Sequence, residues 1–231
     1  MDFFDTVKRR RSIRRFTDEN IPSHVIERAF DAAVWAPNSS NAQTWNFYWV
    51  KDPAKKSALK KACLSQSAAR TAAELIVVTA NPRLLRRSQP YLVKWTQDAG
   101  APTPVQMYYQ RIIPASYKWG WFNSLGLVKF LGFAIAGLFR PVPRRPAFKS
   151  DVYEVAIKSA ALAAENFVLA IAAQDFDSCM MEGFDEVRVR KCIGTSCAER
   201  VVMVIGIGKA APRGTWGPPF RIPSELVIHR V

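Results

Sequence analysis

Between residues 8 and 16 the chain reads "KRRRSIRRF", five arginines and a serine hydroxyl within nine positions. Guanidinium groups are planar and donate N–H bonds in pairs that match phosphate oxygens. Arg9, Arg10, Arg11, Ser12, Arg14 and Arg15 are therefore candidates for a phosphate clamp. A solvated basic face or a nucleic-acid arm is the plainer reading of the same run. Phe16 is its only aromatic, so it lacks the stacking platform that single-strand binders use. A second stretch, "APNSSNAQTWNF" (36–47), groups small polar side chains that compete for backbone hydrogen bonds and so disfavour helix and strand. It predicts a loop, anchored in a core by the strand-like run "WNFYWV", and polar loops on rigid elements are where binding chemistry tends to sit. In a third, "MMEGFD", Glu182 and Gly183 follow an apolar strand. A glycine there lets a backbone N–H approach a ligand closely, though an ordinary strand-to-helix turn has the same pattern.

The elements that must position these residues can be read in order. "SHVIERAFDAAVWA" carries Val25, Ile26, Ala29, Phe30, Ala33 and Val34 at helical spacing behind a Ser23 cap. "DPAKKSALKKACL" predicts a basic helix begun by Asp52 and Pro53, and "ELIVVTA" (74–80) a buried strand. "DVYEVAIKSAALAAENFVLAIAAQDF" predicts a long helix with Asp151 and Glu154 at capping-box spacing. Its apolar residues lie on almost every side, which suits a subunit interface as well as a monomer core. A strand "SCMMEGF", a helix "DEVRVRKCI", a strand "ERVVMVIGIG", a Pro/Gly segment and a strand-like tail "ELVIHRV" complete the chain. Strands flanked by helices predict an α+β or α/β sheet. Residues 82–150, rich in proline, cations and aromatics, break the pattern and read as an inserted subregion within a single domain spanning 1–231.

Composition narrows the partners. With 231 residues and 49% hydrophobic content, the chain can bury a sizeable core. Its 33 Lys and Arg against 19 Asp and Glu give a formal charge of +14, which favours phosphates, anionic lipids or nucleic acid. Four cysteines without a CxxC pair and two histidines make a metal site unexpected and suit a reducing cytosol. The amino terminus does not read as a secretory signal.

Taken in order, "RRSIRRF", "APNSSNAQTWNF", "MEGFD" and "GPPFRIP" with an extended tail resemble the nitroreductase family of FMN-dependent oxidoreductases. The resemblance covers residues 1–80 and 151–231 well and the middle loosely. It implies an α+β fold, a three-layer α-β-α sandwich whose central, mostly antiparallel sheet is flanked by helices, in an interlocked homodimer with flavin sites built from both subunits. By the same resemblance, Arg10, Arg11, Ser12 and Arg14 hold the FMN phosphate and the flavin pyrimidine edge. Pro37, Asn38, Ser39, Ser40 and Asn41 line the ring from the other subunit, and Gln66 matches loosely the amide beside it. Glu182 and Gly183 sit next to flavin N5, with the Gly183 N–H as donor, and Arg221 closes the phosphate end. The implied activity is ping-pong hydride transfer from NADH or NADPH to a small electron-poor acceptor such as a nitroaromatic, quinone or activated alkene. The rival is a basic membrane- or nucleic-acid-associated protein that keeps the fold without redox activity.

Two departures from the family pattern stand out. Pro219 occupies the position where many members have a lysine, two residues before Arg221, and the middle segment is longer and more apolar than in compact members. Within it, residues 121–139 approach the length of a membrane span but carry Lys129 and three glycines. Leu125, Val128, Leu131, Ile135 and Leu138 share one helical stripe, and Gly126, Lys129 and Ala136 another. Such a helix is expected either to cover the flavin or to lie in a membrane interface. The expected setting is the cytoplasm without nucleic-acid binding, with peripheral contact at the inner face of the membrane as the alternative.

Overall fold

Every position from Leu75 to Ala80 is buried, as in a strand covered on both faces. Successive side chains of a strand point to opposite faces, and this one serves two cores. Ile76, Val78 and Ala80 enter one cluster with Met203, Ile205 and Ile207, and Leu75 and Val77 enter the other with Val204, Cys179 and Met181. In the computed structural model, which describes residues 2–231, these strands form a four-stranded antiparallel sheet between two helical layers.

The elements run Phe3–Arg9 (α1), Ser23–Val34 (α2), Trp45–Trp49 (β1), Pro53–Ala62 (α3), Ser67–Thr71 (α4) and Glu74–Ala80 (β2). Leu85–Asp98 (α5), Thr103–Met107 (α6), a π-turn at Tyr108–Ile112, Ile113–Ser116 (α7) and Ser124–Ala136 (α8) follow. Lys149–Ala173 (α9), Asp177–Met181 (β3), Glu186–Ile193 (α10) and Arg200–Gly208 (β4) close the sheet. The strand order is β1-β2-β4-β3. Helices α2 and α9 cover one face, and α3, α4 and α10 the other.

Helix α9 is long and apolar enough to cross a membrane by length and composition, yet half of its most apolar window is buried inside this chain. Its alanines at 156, 160, 163 and 164 are fully buried. Small side chains there let α2 and the sheet approach closely, so its hydrophobicity is explained first by the core. Phe167 fills the centre, with ring centroids 5.1 Å from Phe30 and 5.8 Å from Phe47.

Three local expectations are corrected. Ser23 is the first residue of α2, after Pro22, and its side chain makes no capping bond. Asp151 is the third residue of α9: its Oδ2 accepts from the N–H groups of Ala147 (2.9 Å) and Phe148 (3.0 Å), while Glu154 pairs with Lys158 and Arg145. The tail, read as strand-like, forms only a 3₁₀ turn at Ser224–Leu226 and is exposed from Trp216 onward. A strand needs a hydrogen-bonding neighbour, and none within the described chain pairs with it.

The Asp151 arrangement carries a prediction. Burial pulls its pKa up, but the N–H groups of Phe148 and Ala147 and the charge of Arg145 outweigh that, so the pKa lies below its ordinary value of 3.8. A depressed folded-state pKa stabilises fully above the unfolded value and is lost as pH falls through the folded one. Asp151→Ala should cost about 0.5–2 kcal/mol at neutral pH, the usual range for a lost helix cap. The gap between the two proteins should close in strong acid. Urea melts of both proteins across pH check this, and a gap that persists in acid would assign the loss to something other than the carboxylate.

Candidate functional site

The arginine run is sorted by a single buried residue. Ile13 is 4% exposed and sits in the core, and its N–H donates to the Ser178 carbonyl of β3 at 3.0 Å. Residues 12–14 thus lie along the β3 edge, where Ser12 bridges to Ser178 and Arg14 Nη1 approaches Cys179 Sγ at 3.6 Å. Arg9 is drawn away, donating to the Ala172 carbonyl (2.6 Å) and to Asp175 (2.9 Å), so it straps α1 to α9. Arg10, Arg11, Ser12 and Arg14 line a cavity of about 350 Å³, closed on its other wall by residues 215–221, including Arg221.

Residues 211–221 are held there by close backbone approach. The Arg14 N–H donates to the Gly214 carbonyl at 2.6 Å, and the Ala211 N–H to the Arg15 carbonyl at 3.0 Å. A Cβ at Gly214 would stand 2.7 Å from the Arg15 carbonyl oxygen, so only glycine fits. Arg11 Nη2 donates to the Gly217 carbonyl (2.7 Å), and the Arg14 guanidinium lies 4.3 Å from the centre of the Trp216 ring. Four arginines and two hydroxyl residues, Ser12 and Thr215, therefore line one space that has no carboxylate among its described lining residues. Glu165 of α9, 3.6 Å from Arg10 Nε, is the nearby counter-charge. Such a donor set suits a phosphate dianion, and the volume lies at the lower end of the range for ligand pockets.

At the far end of β3, Gln66 Nε2 donates to the Gly183 carbonyl at 2.7 Å. The turn that delivers Gln66 passes through Leu64 and Ser65, both at positive φ. The Asp185 N–H is tied to the Ala62 carbonyl (2.8 Å), which fixes the other side of Gly183. No acceptor among the described residues takes the Gly183 N–H, and both Glu182 and Gly183 are exposed. The result is a backbone donor held rigidly at a strand end and open to a ligand.

The loop of Pro37, Asn38, Ser39, Ser40 and Asn41 is placed elsewhere on this chain. None of its residues lines the arginine cavity. Asn38 Oδ1 accepts from the Gln43 N–H (2.9 Å), and the Ser39 N–H reaches Ser159 Oγ of α9 (3.5 Å). Ser40 Oγ and the Tyr108 hydroxyl share a hydrogen bond of 2.8 Å. Ser40, Asn41 and Gln43 all have positive φ, a cost paid only where the surroundings over-determine the loop. Trp45 and Phe47 anchor it in the core, as the sequence predicts.

Sequence reasoning passed over Trp216, Gly217 and Tyr108. Trp216 had a signal, an aromatic beside "GPP" in a segment with no core to enter; Tyr108 had none, because its contact with Ser40 spans 68 residues. A buried carboxylate, Glu199, is occupied structurally. It accepts from Asn46 (2.7 Å), Tyr48 (2.9 Å) and Thr79, and burial together with Glu199 pushes the Tyr48 phenol up to about 12. The described residues contain no cluster of three or more His, Cys, Asp or Glu side chains able to hold a metal.

Comparison with known proteins gives one consistent match. The family model described as "Nitroreductase family" matches residues 7–209. Protein DrgA of Synechocystis sp. is 27% identical over 99% of this chain and 95% of its own length. A Thermus thermophilus protein named NADH dehydrogenase is 26% identical over 95% and 91%. Among solved structures, an Exiguobacterium sibiricum protein crystallised with FMN superposes with a TM-score of 0.73 at 22% identity, covering 100% of this chain and 98% of that one.

Proposed function

The chain belongs to the nitroreductase family, and on that premise we propose that it is an FMN-dependent oxidoreductase transferring hydride from NADH or NADPH to a small electron-poor acceptor. The observation that carries this reading is the cavity where Arg10, Arg11, Ser12 and Arg14 meet Arg221. The names of the relatives support it: one is an NADH dehydrogenase and another was solved with FMN.

FMN, when bound, supplies the hydride-accepting and hydride-donating chemistry. The four arginines neutralise the phosphate, and the Ser12 hydroxyl donates to it. Arg11, held against Gly217, brings a charge to the wall where Pro219 replaces the family's lysine. The Gly183 N–H would donate toward the ring edge, and Gln66, bonded to the Gly183 carbonyl, stands beside it. Glu182 lies beside it. Pro37, Asn38, Ser39, Ser40 and Asn41 belong to the ring site of a second copy, so the working unit is a homodimer. Ile157 and Leu162 of α9, exposed on this chain, lie on its interface. The hydride donor and the acceptor, a nitroaromatic, quinone or activated alkene, occupy one open face in turn.

The purified protein should be yellow, sediment at twice the 26.0 kDa chain mass and oxidise NADH or NADPH with parallel double-reciprocal lines when a quinone or nitroaromatic is varied. A colourless protein that stays inactive after FMN is added would overturn the enzyme reading. A 26.0 kDa species with full FMN occupancy would overturn the shared site.

A further inference from the structure

Helix α8 touches its own chain along one narrow stripe. Gly126 is its one buried residue, and a Cβ there would meet the Phe148 ring at 2.8 Å. Lys129, the only charged residue of the helix, is turned inward: its Nζ donates to the carbonyls of Ala115 (2.9 Å), Ser116 (3.0 Å) and Lys118 (2.5 Å). This ammonium straps the helix down and leaves the outward surface without charge. Leu125, Val128, Leu131 and Ile135 on that surface are exposed, and Trp121, Phe122, Leu138 and Phe139 extend it at both ends. Patches of this size and continuity are rare on a surface that faces only water.

The charge around the patch points to what covers it. From residue 99 to residue 150 the chain has no Asp or Glu and seven Lys or Arg. Lys118 precedes the apolar stretch, and Arg140, Arg144, Arg145 and Lys149 follow it, all exposed. Arg144 curls back over the helix end, its guanidinium close to Gly137. A second copy seated face to face would bring two such cationic rims together, which like-charge repulsion disfavours. At 1.5 Å per residue, the 13 residues of α8 extend about 20 Å, too short for the roughly 30 Å hydrocarbon core of a bilayer. An apolar face with cations and aromatic residues such as Trp121 at its margins is what an interfacial helix presents to acidic headgroups.

We propose that residues 121–139 dock this protein on an anionic phospholipid bilayer, with α8 lying in the interface plane and Lys118, Arg140 and Arg144 at the headgroups. This does not depend on the bound cofactor.

Flotation of the full chain with phosphatidylcholine vesicles, with and without phosphatidylglycerol, tests it. The native protein should float with the anionic vesicles only and be released progressively by salt. Two variants separate the contributions: Leu125→Ser with Val128→Ser and Leu131→Ser, and Arg140→Glu with Arg144→Glu. Both alter exposed side chains and should keep the native melting temperature, and each should weaken vesicle binding at least tenfold. No flotation of the native protein, or flotation that both variants retain, would overturn the proposal. So would soluble oligomers that the apolar variant disperses without any vesicle binding, since a second copy would then be the occupant.

Discussion

Arg10→Ala combined with Arg14→Ala should leave a folded protein that no longer retains FMN. Both side chains line the cavity, and hydrogen bonds to charged groups contribute about 1.5–3 kcal/mol each. Losing two gives about 3–6 kcal/mol, or roughly a hundred- to ten-thousandfold in affinity at about 1.4 kcal/mol per decade. The fold should tolerate the change. Glu165, left without Arg10, has a side chain 44% exposed and is solvated in its place, and the Arg14 stack on Trp216 lies at an exposed ring. Fluorescence titration of the apoprotein with FMN reads the affinity, and thermal melting reads the fold. Undiminished affinity would remove both arginines from the site.

Phe167→Ala should have the largest effect on stability, about 3–5 kcal/mol. Phe167 is fully buried where α9 meets α2 and β1, and its ring touches Phe30 and Phe47 in tilted geometry. Truncation leaves a cavity between layers joined by long elements that collapse only partially. Against a total stability of about 5–15 kcal/mol, the variant should be marginal at room temperature. Because Phe47 follows the loop of Pro37–Asn41 in β1, that loop should also loosen, raising its hydrogen exchange before global unfolding. A midpoint shift in guanidinium equivalent to less than about 1 kcal/mol would show that this junction is not packed as described.

The sheet was legible because its strands are covered on both faces. Leu75 to Ala80 and Met203 to Gly208 are buried without interruption, which writes a continuous apolar run into the sequence. Asp52 and Asp185 announced their helices for a similarly local reason: each caps the backbone N–H three residues on. The start of α9 was displaced because Asp151 bonds backward to residues 147 and 148, and spacing alone does not separate that from a forward cap. The tail pairs with no strand of the described chain, and β-branched residues form a strand only where a neighbouring strand exists. For the site, the residue types that suit phosphate were visible in the arginine run. Which arginines reach the cavity came from the family resemblance and not from residue type, since Ile13 and Asp175 make that choice through contacts distant in sequence. The Ser40–Tyr108 contact was invisible for the same reason.

The arginine cavity is built from residues 10–14 and 215–221, so its two walls are more than 200 residues apart along the chain. Bringing such distant segments together carries the full loop-closure entropy and comes after the local contacts that make it worthwhile. During synthesis the first wall leaves the ribosome long before the second exists. The cavity is therefore an end-of-assembly marker: a phosphate-bearing ligand held there acts as a clasp between the chain's two ends. It adds stability as RT ln(1 + [L]/Kd) only to molecules that have closed. A chain shortened before Thr215 would keep every strand of the sheet yet lack the second wall against which such a ligand would be held.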